Sequence, residues 1–92
     1  MTLHYLKLSD RFFDPVKNGV KNFEIRKDDR GFKVGDTIVL QWVGTEQQMM
    51  KLNLNDQEPP TITRFISYIL THEDFPAGIQ PGYVVLGLRR VQ

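Results

Sequence analysis

Gly19-Val20-Lys21-Asn22-Phe23-Glu24-Ile25-Arg26-Lys27-Asp28-Asp29-Arg30-Gly31-Phe32-Lys33-Val34-Gly35-Asp36 is the stretch on which the reading of this chain turns. Read at period two, it predicts a strand with Phe23 and Ile25 on one face and Glu24 and Arg26 on the other, so that one face is core and the other ionic. Two accounts of the ionic face stand side by side. It is the wet polar side of an edge strand, or it is an anion site. In the second account Arg26 supplies a planar fork, Lys21 a mobile point charge, and Glu24 an acceptor that orients both.

The flanking sequence supplies the rest of a small β-rich domain. Leu3 to Leu8 predicts a first strand with His4, Leu6 and Leu8 on one side and Tyr5 and Lys7 on the other. Ser9 and Asp10 are N-cap candidates and Gly19 is a C-terminal stop, which places a short helix between Asp10 and Asn18. Pro15 leaves two versions open. Either the helix starts near Asp10 and is distorted by the proline, or Asp14 caps a shorter helix with Pro15 at its first position. Phe12, Phe13 and Val16 are expected to plug one end of the sheet, with one of the two phenylalanines available for stacking on a base.

Beyond the charged strand, Asp28 to Gly31 reads as a turn. Thr37 to Val43 is expected to be a strand with Ile38, Leu40 and a core Trp42 on one face. Met50, Leu52 and Leu54 alternate with polar residues, predicting a half-buried edge strand that Pro59 and Pro60 terminate. Thr61 to Thr71 is the longest β-like run, with Ile62, Ile66, Tyr68 and Leu70 set against Phe65 and Ile69. A Gly/Pro-rich loop, Phe75 to Gly82, has the character of a functional loop over a pocket. Tyr83 to Val91 is the last predicted strand, in which Gly87 permits a bend or a close approach, and Arg89 and Arg90 read as solvated charges.

Composition bounds the function. Ninety-two residues make one domain spanning 1–92 with a modest core. The absence of cysteine excludes thiol chemistry, a disulfide scaffold and Cys-based zinc binding. No apolar run approaches a membrane span and the N-terminus lacks a signal-peptide pattern, so a cytoplasmic monomer without membrane contact is expected. The net charge is +1, but it is unevenly spread: from Arg11 to Lys33 seven Lys or Arg stand against four Asp or Glu, and from Gly44 to Pro76 two stand against five. That favours an anionic ligand near the first half, without the strongly basic stripe of a duplex binder. There is no phosphate-loop, dinucleotide, zinc-protease or nucleophile-elbow pattern, and no metal or cofactor is expected.

The spacing of Gly19, Lys21, Glu24 and Arg26 resembles the G-x-K-x-x-E-x-R signature of ASCH domains, members of the PUA-like superfamily. With His4-Tyr-Leu-Lys7 at the start and Gly82-Tyr-Val-Val-Leu-Gly87 near the end, it is most similar to a small bacterial and phage branch of unknown function. The resemblance implies an α+β fold, mainly β: a small PUA-like β-barrel of about five to six strands with one short helix closing one end. It also implies a module that binds RNA or a (modified) nucleotide, with the strand of Lys21, Glu24 and Arg26 lining a cleft beside the first helix; that cleft is expected to lie under the Phe75 to Gly82 loop, with His4, Lys7 and Arg30 at its rim. One bacterial branch instead hydrolyses acetylcytidine with a lysine, a threonine and a glutamate. Lys21 matches that lysine, but Glu24 stands at the threonine position and only Glu73 is a candidate for the distal glutamate. A carboxylate does not simply replace a lysine-activated hydroxyl nucleophile, so an amidohydrolase that uses Lys21, with Glu24 as a base for water, is the alternative reading.

Overall fold

The computed structural model describes residues 2–51 and 58–91. Five strands and two helices follow one another as β1 (Leu3–Ser9), α1 (Asp10–Lys17), β2 (Phe23–Lys27), β3 (Thr37–Val43), α2 (Glu46–Lys51), β4 (Thr61–Thr71) and β5 (Tyr83–Arg90). They build one sheet in the order β1-β3-β4-β5-β2. Only β1 and β3 run parallel; the other neighbours are antiparallel. The sheet curls into a half-barrel, mainly β with a short helix at one end, and its two edge strands are β1 and β2.

The concave side holds the core. His4, Leu6 and Leu8 of β1, Ile38, Leu40 and Trp42 of β3, Ile62 and Ile66 of β4, and Val84, Leu86 and Leu88 of β5 point inward at strict alternation, and Phe13, Val16 and Phe32 cover them. These are the faces that period two predicts for β1 and β3. Trp42 is buried and its indole N–H donates to Asp10 Oδ1 at 2.8 Å, which satisfies the ring's one polar atom and ties β3 to the first turn of α1.

Of the two versions of the first helix, the one that starts at Asp10 is present, with Pro15 inside it. Ser9 is the N-cap residue but makes no side-chain capping bond. Gly19 ends the segment at φ +80°, a conformation that a Cβ would strain. Phe13 and Val16 are buried, whereas Phe12 is 36% exposed and does not serve as a plug.

Three expectations are corrected. The faces of β2 are reversed: Glu24 is 4% exposed while Phe23 and Ile25 are 42% and 60% exposed. The concave side of the curled sheet takes the carboxylate because two cations accompany it, which removes the usual penalty for burying a lone charge. Met50 and Lys51 belong to a helix, not to an edge strand; Leu52 and Leu54 lie outside the described residues. That helix opens with a reciprocal capping box, in which Gln48 N–H donates to Thr45 Oγ1 at 3.1 Å and Thr45 N–H donates to Gln48 Oε1 at 2.7 Å. Finally, β4 does not keep one phase. Its register against β5 shifts between Ile66 and Tyr68, so Tyr68 turns outward and Ile69 packs on the core. Gly87 faces this bulge, where a Cβ would stand 2.9 Å from Ser67 Oγ.

No helix among the described residues is long and apolar enough to cross a membrane. No group of three or more His, Cys, Asp or Glu among them is arranged to hold a metal ion.

Candidate functional site

Glu24 sits at the centre of the charged cluster because β2 pairs with β5 so that Glu24 lies opposite Leu86 on the inner face. Its Oε1 accepts from Lys21 Nζ at 2.6 Å and its Oε2 from Arg26 Nε at 3.0 Å. The carboxylate is thus clamped from both sides, with side-chain exposures of 18% for Lys21 and 24% for Arg26. Each carboxylate oxygen retains a further lone pair, so a ligand donor can still be accepted.

Lys21 arrives at Glu24 through the turn after α1. Its backbone N–H donates to Pro15 O at 2.9 Å, a bond that fixes where the side chain starts. The ammonium donates to Glu24 and to Phe23 O, which occupies two of its three donors and leaves one for a ligand among the described residues. It also lies 5.0 Å from the ring centre of Phe12 and 4.8 Å from that of Phe23. Phe12, Lys21, Phe23, Glu24 and Ile25 together line a cleft of about 280 Å³ beside α1.

Arg26 does something else. It is not among the residues lining that cleft; beyond Glu24, its Nη2 donates to the backbone carbonyl of Lys7 on β1. Arg30 repeats the gesture, with Nη1 donating to Tyr5 O at 2.7 Å and Nε 3.7 Å from Asp29 Oδ1. The two guanidinium groups therefore cross the gap between the edge strands and satisfy carbonyls that strand pairing leaves open. Lys7 enters this arrangement through its carbonyl, while its side chain is exposed.

His4 is not a rim residue. It is 7% exposed, its Nε2 lies 2.9 Å from Asp36 Oδ2, and its ring meets Phe32 edge-on at 4.8 Å. A carboxylate only accepts, so Nε2 carries the proton. Asp36 also accepts from Thr2 N–H and Lys33 N–H, and the histidine bond, followed by these amides, holds its carboxyl below the ordinary range although burial alone would raise it. The cluster fastens the start of β1 to the Lys33–Asp36 turn.

The Phe75 to Gly82 loop does not cover the Lys21–Glu24 cleft. It borders a second groove, lined by Ile25, Gly78, Ile79, Gln80, Tyr83 and Val85, which shares Ile25 alone with the cleft. The loop is anchored by buried Ile79 and by a short contact between His72 Nδ1 and Ile79 O. Glu73, the candidate distal glutamate, is exposed and lines neither cavity. Sequence reasoning brings Lys21 and Glu24 together correctly, but does not single out Phe23 as a wall of the cleft. The signal is the pair of aromatic residues on either side of the motif lysine, Phe12 and Phe23.

Residues 3–88 match the family described as "Domain of unknown function (DUF3850)", a span that contains every residue of this site. A protein of Escherichia phage P2, described as "Uncharacterized 12.9 kDa protein in GpA 3'region", is 45% identical over 42 residues. That similarity covers 45% of this chain and 38% of the phage protein, so the matched segment spans well under two thirds of the relative's length.

Proposed function

The chain belongs to the DUF3850 family, and we propose that its Lys21–Glu24 cleft binds single-stranded RNA or its constituent nucleotides, in a PUA-like module of the kind the G-x-K-x-x-E-x-R spacing resembles. The observation that carries this reading is the pairing of a buried, doubly clamped carboxylate with two half-exposed aromatic rings in one cleft. A flat base stacks on Phe12 or Phe23, a preference shared by all bases because each presents a π-face. Glu24 accepts from an amino or imino group on the base edge. The remaining Lys21 donor and its charge serve a phosphate oxygen. A volume of about 280 Å³ accommodates a base and part of its sugar rather than a folded helix.

Within this reading Arg26 is the clamp that keeps Glu24 in place and the sheet edges together, not a ligand donor. The amidohydrolase alternative has weaker support. The Lys21 ammonium donates to Glu24 and to Phe23 O, so it has no free electron pair with which to activate a nucleophile, and Glu73 does not line the cleft.

Binding of short single-stranded RNAs and 5′-nucleotides to the wild type, Phe12→Ala and Lys21→Ala proteins tests the proposal. Loss of the stacking ring is expected to weaken binding by about 1 to 3 kcal/mol. Because Phe12 is more than a third exposed, its unfolding free energy should change much less. Affinities that stay the same in both variants would overturn the assignment.

A further inference from the structure

At the C-terminal end of α1 lies a second concentration of positive charge that the cleft does not use. Arg64 of β4 and Arg90 of β5 are register partners on adjacent antiparallel strands. Both follow the inward phase, Arg64 between buried Ile62 and Ile66, and Arg90 after buried Leu86 and Leu88. Like charges placed directly opposite each other on a sheet are destabilising.

Their partners among the described residues are all neutral. Arg64 Nη1 donates to Thr63 O at 2.9 Å, and Nη2 to Val16 O and Lys17 O at 3.1 and 3.3 Å. Arg90 Nη2 donates to Lys17 O at 3.4 Å. No ion pair to either guanidinium occurs among the described residues. Capping the C-terminal carbonyls of α1 accounts for one arginine. It does not account for two converging on the single carbonyl of Lys17 through long bonds. Burial pulls the ionisation of Arg64 down and the charge of Arg90 adds to the effect, as expected of a cation that lacks its counter-ion.

The Arg90 guanidinium packs against Gly19, where a Cβ would stand 3.0 Å from Nη2. Two residues further on, Lys21 enters the cleft. Gly19, against which Arg90 packs, and Lys21, which lines the cleft, are thus separated along the chain by Val20 alone.

We propose that Arg64 and Arg90 form a phosphate-binding site next to the cleft, and that it takes a phosphodiester of a single strand whose neighbouring base occupies the cleft. Two guanidinium forks side by side present more donors than the backbone carbonyls use, and a phosphate supplies the full negative charge that those carbonyls lack. The proposal names the ligand of the reading above as a strand of more than one nucleotide, and it rests on that reading for the base but not for the phosphate.

Three probes separate the two: inorganic pyrophosphate, an abasic phosphodiester oligomer, and a base-bearing single-stranded RNA of the same length. Arg90→Gln is the informative variant, because Arg90 is exposed and makes a single long bond, so the fold is retained. Arg90→Gln should weaken the RNA and the abasic oligomer by about tenfold each, the scale of one charge-assisted contact. It should also lower the log–log salt slope by about 0.7 to 1. Phe12→Ala should weaken the RNA and leave the abasic oligomer unaffected. Pyrophosphate that binds the wild type and not Arg90→Gln, with no binding of the oligomer, would mean a free-phosphate site and overturn the strand assignment. Absence of binding by all phosphate probes, or equal salt slopes for wild type and Arg90→Gln, would overturn the site altogether. RNA binding that depends on Phe12 but not on Arg90 would overturn this inference and leave the cleft assignment standing.

Discussion

Arg26 carries the sharpest residue-level consequence. It joins Glu24 on β2 to the Lys7 carbonyl on β1, so its removal leaves Glu24 Oε2 without its partner, with Lys21 alone holding the buried carboxylate, and opens the gap between the edge strands. Arg26→Ala is expected to destabilise the fold by about 1 to 3 kcal/mol in urea unfolding. The affinity per folded molecule should fall by less than in Phe12→Ala, because Arg26 does not line the cleft and acts on a ligand only through the Glu24 it holds. A second residue-level outcome concerns Asp36, whose carboxyl is held below its ordinary value by His4 and two backbone amides. Its contribution is therefore complete above the ordinary carboxylate pKa of about 3.9 and is lost as pH falls below that towards the folded value. Thermal unfolding from pH 6 downward should show a fall in melting temperature below about pH 4, and Asp36→Asn should flatten that part of the curve. At the same scale, acetylcytidine incubated with the protein should release no acetate; release that depends on Lys21 and Glu24 would favour the hydrolase reading.

Elements differ in how much of them the sequence discloses, and the differences have physical causes. β1 and β3 were readable because simple alternation with apolar inner faces is what a half-buried strand requires. β2 reads inside out in the sequence, since Phe23 and Ile25 look like core whereas Lys21 and Arg26 neutralise Glu24 within the concave face. The pairing was legible in the motif; its direction was not, because it depends on which way the sheet curls. The bulge at Ser67 reverses the phase of β4 half-way along, and nothing in a run of Thr, Ile, Phe and Tyr marks the extra residue except Gly87 on the facing strand. α2 was legible in principle through the Thr45-x-x-Gln48 capping box, which the alternation of Met50 with Lys51 obscured. The connection between β3 and α2 offers a test. A Cβ at Gly44 would come within 2.3 Å of the Trp42 ring and 2.7 Å of Gln48 Oε1. Gly44→Ala should therefore cost about 1 to 3 kcal/mol and disturb the indole environment, measurable as a shift in tryptophan fluorescence.

Across the whole molecule, a five-stranded sheet with two edges is closed by side chains instead of a further strand pairing. Arg26 and Arg30 span from the β2 side to β1, and the Lys21–Glu24 cleft opens beside that seam, next to α1. Fold and candidate site are consequently coupled: the carboxylate that the cleft presents is the same one that the closing arginine holds. Under the proposed function, the cleft and the Arg64–Arg90 pair together would serve a flexible single strand, whose bases are free to turn out and stack. The most direct test is an NMR titration of the isotope-labelled protein with a short single-stranded RNA, following backbone amides and the arginine Nε–H signals. The proposed cleft predicts the largest shifts at Phe12, Lys21, Phe23 and Glu24, and none beyond background at Gly78, Ile79 and Tyr83 of the second groove. Shifts confined to that groove, or no saturable shifts at any site, would contradict it.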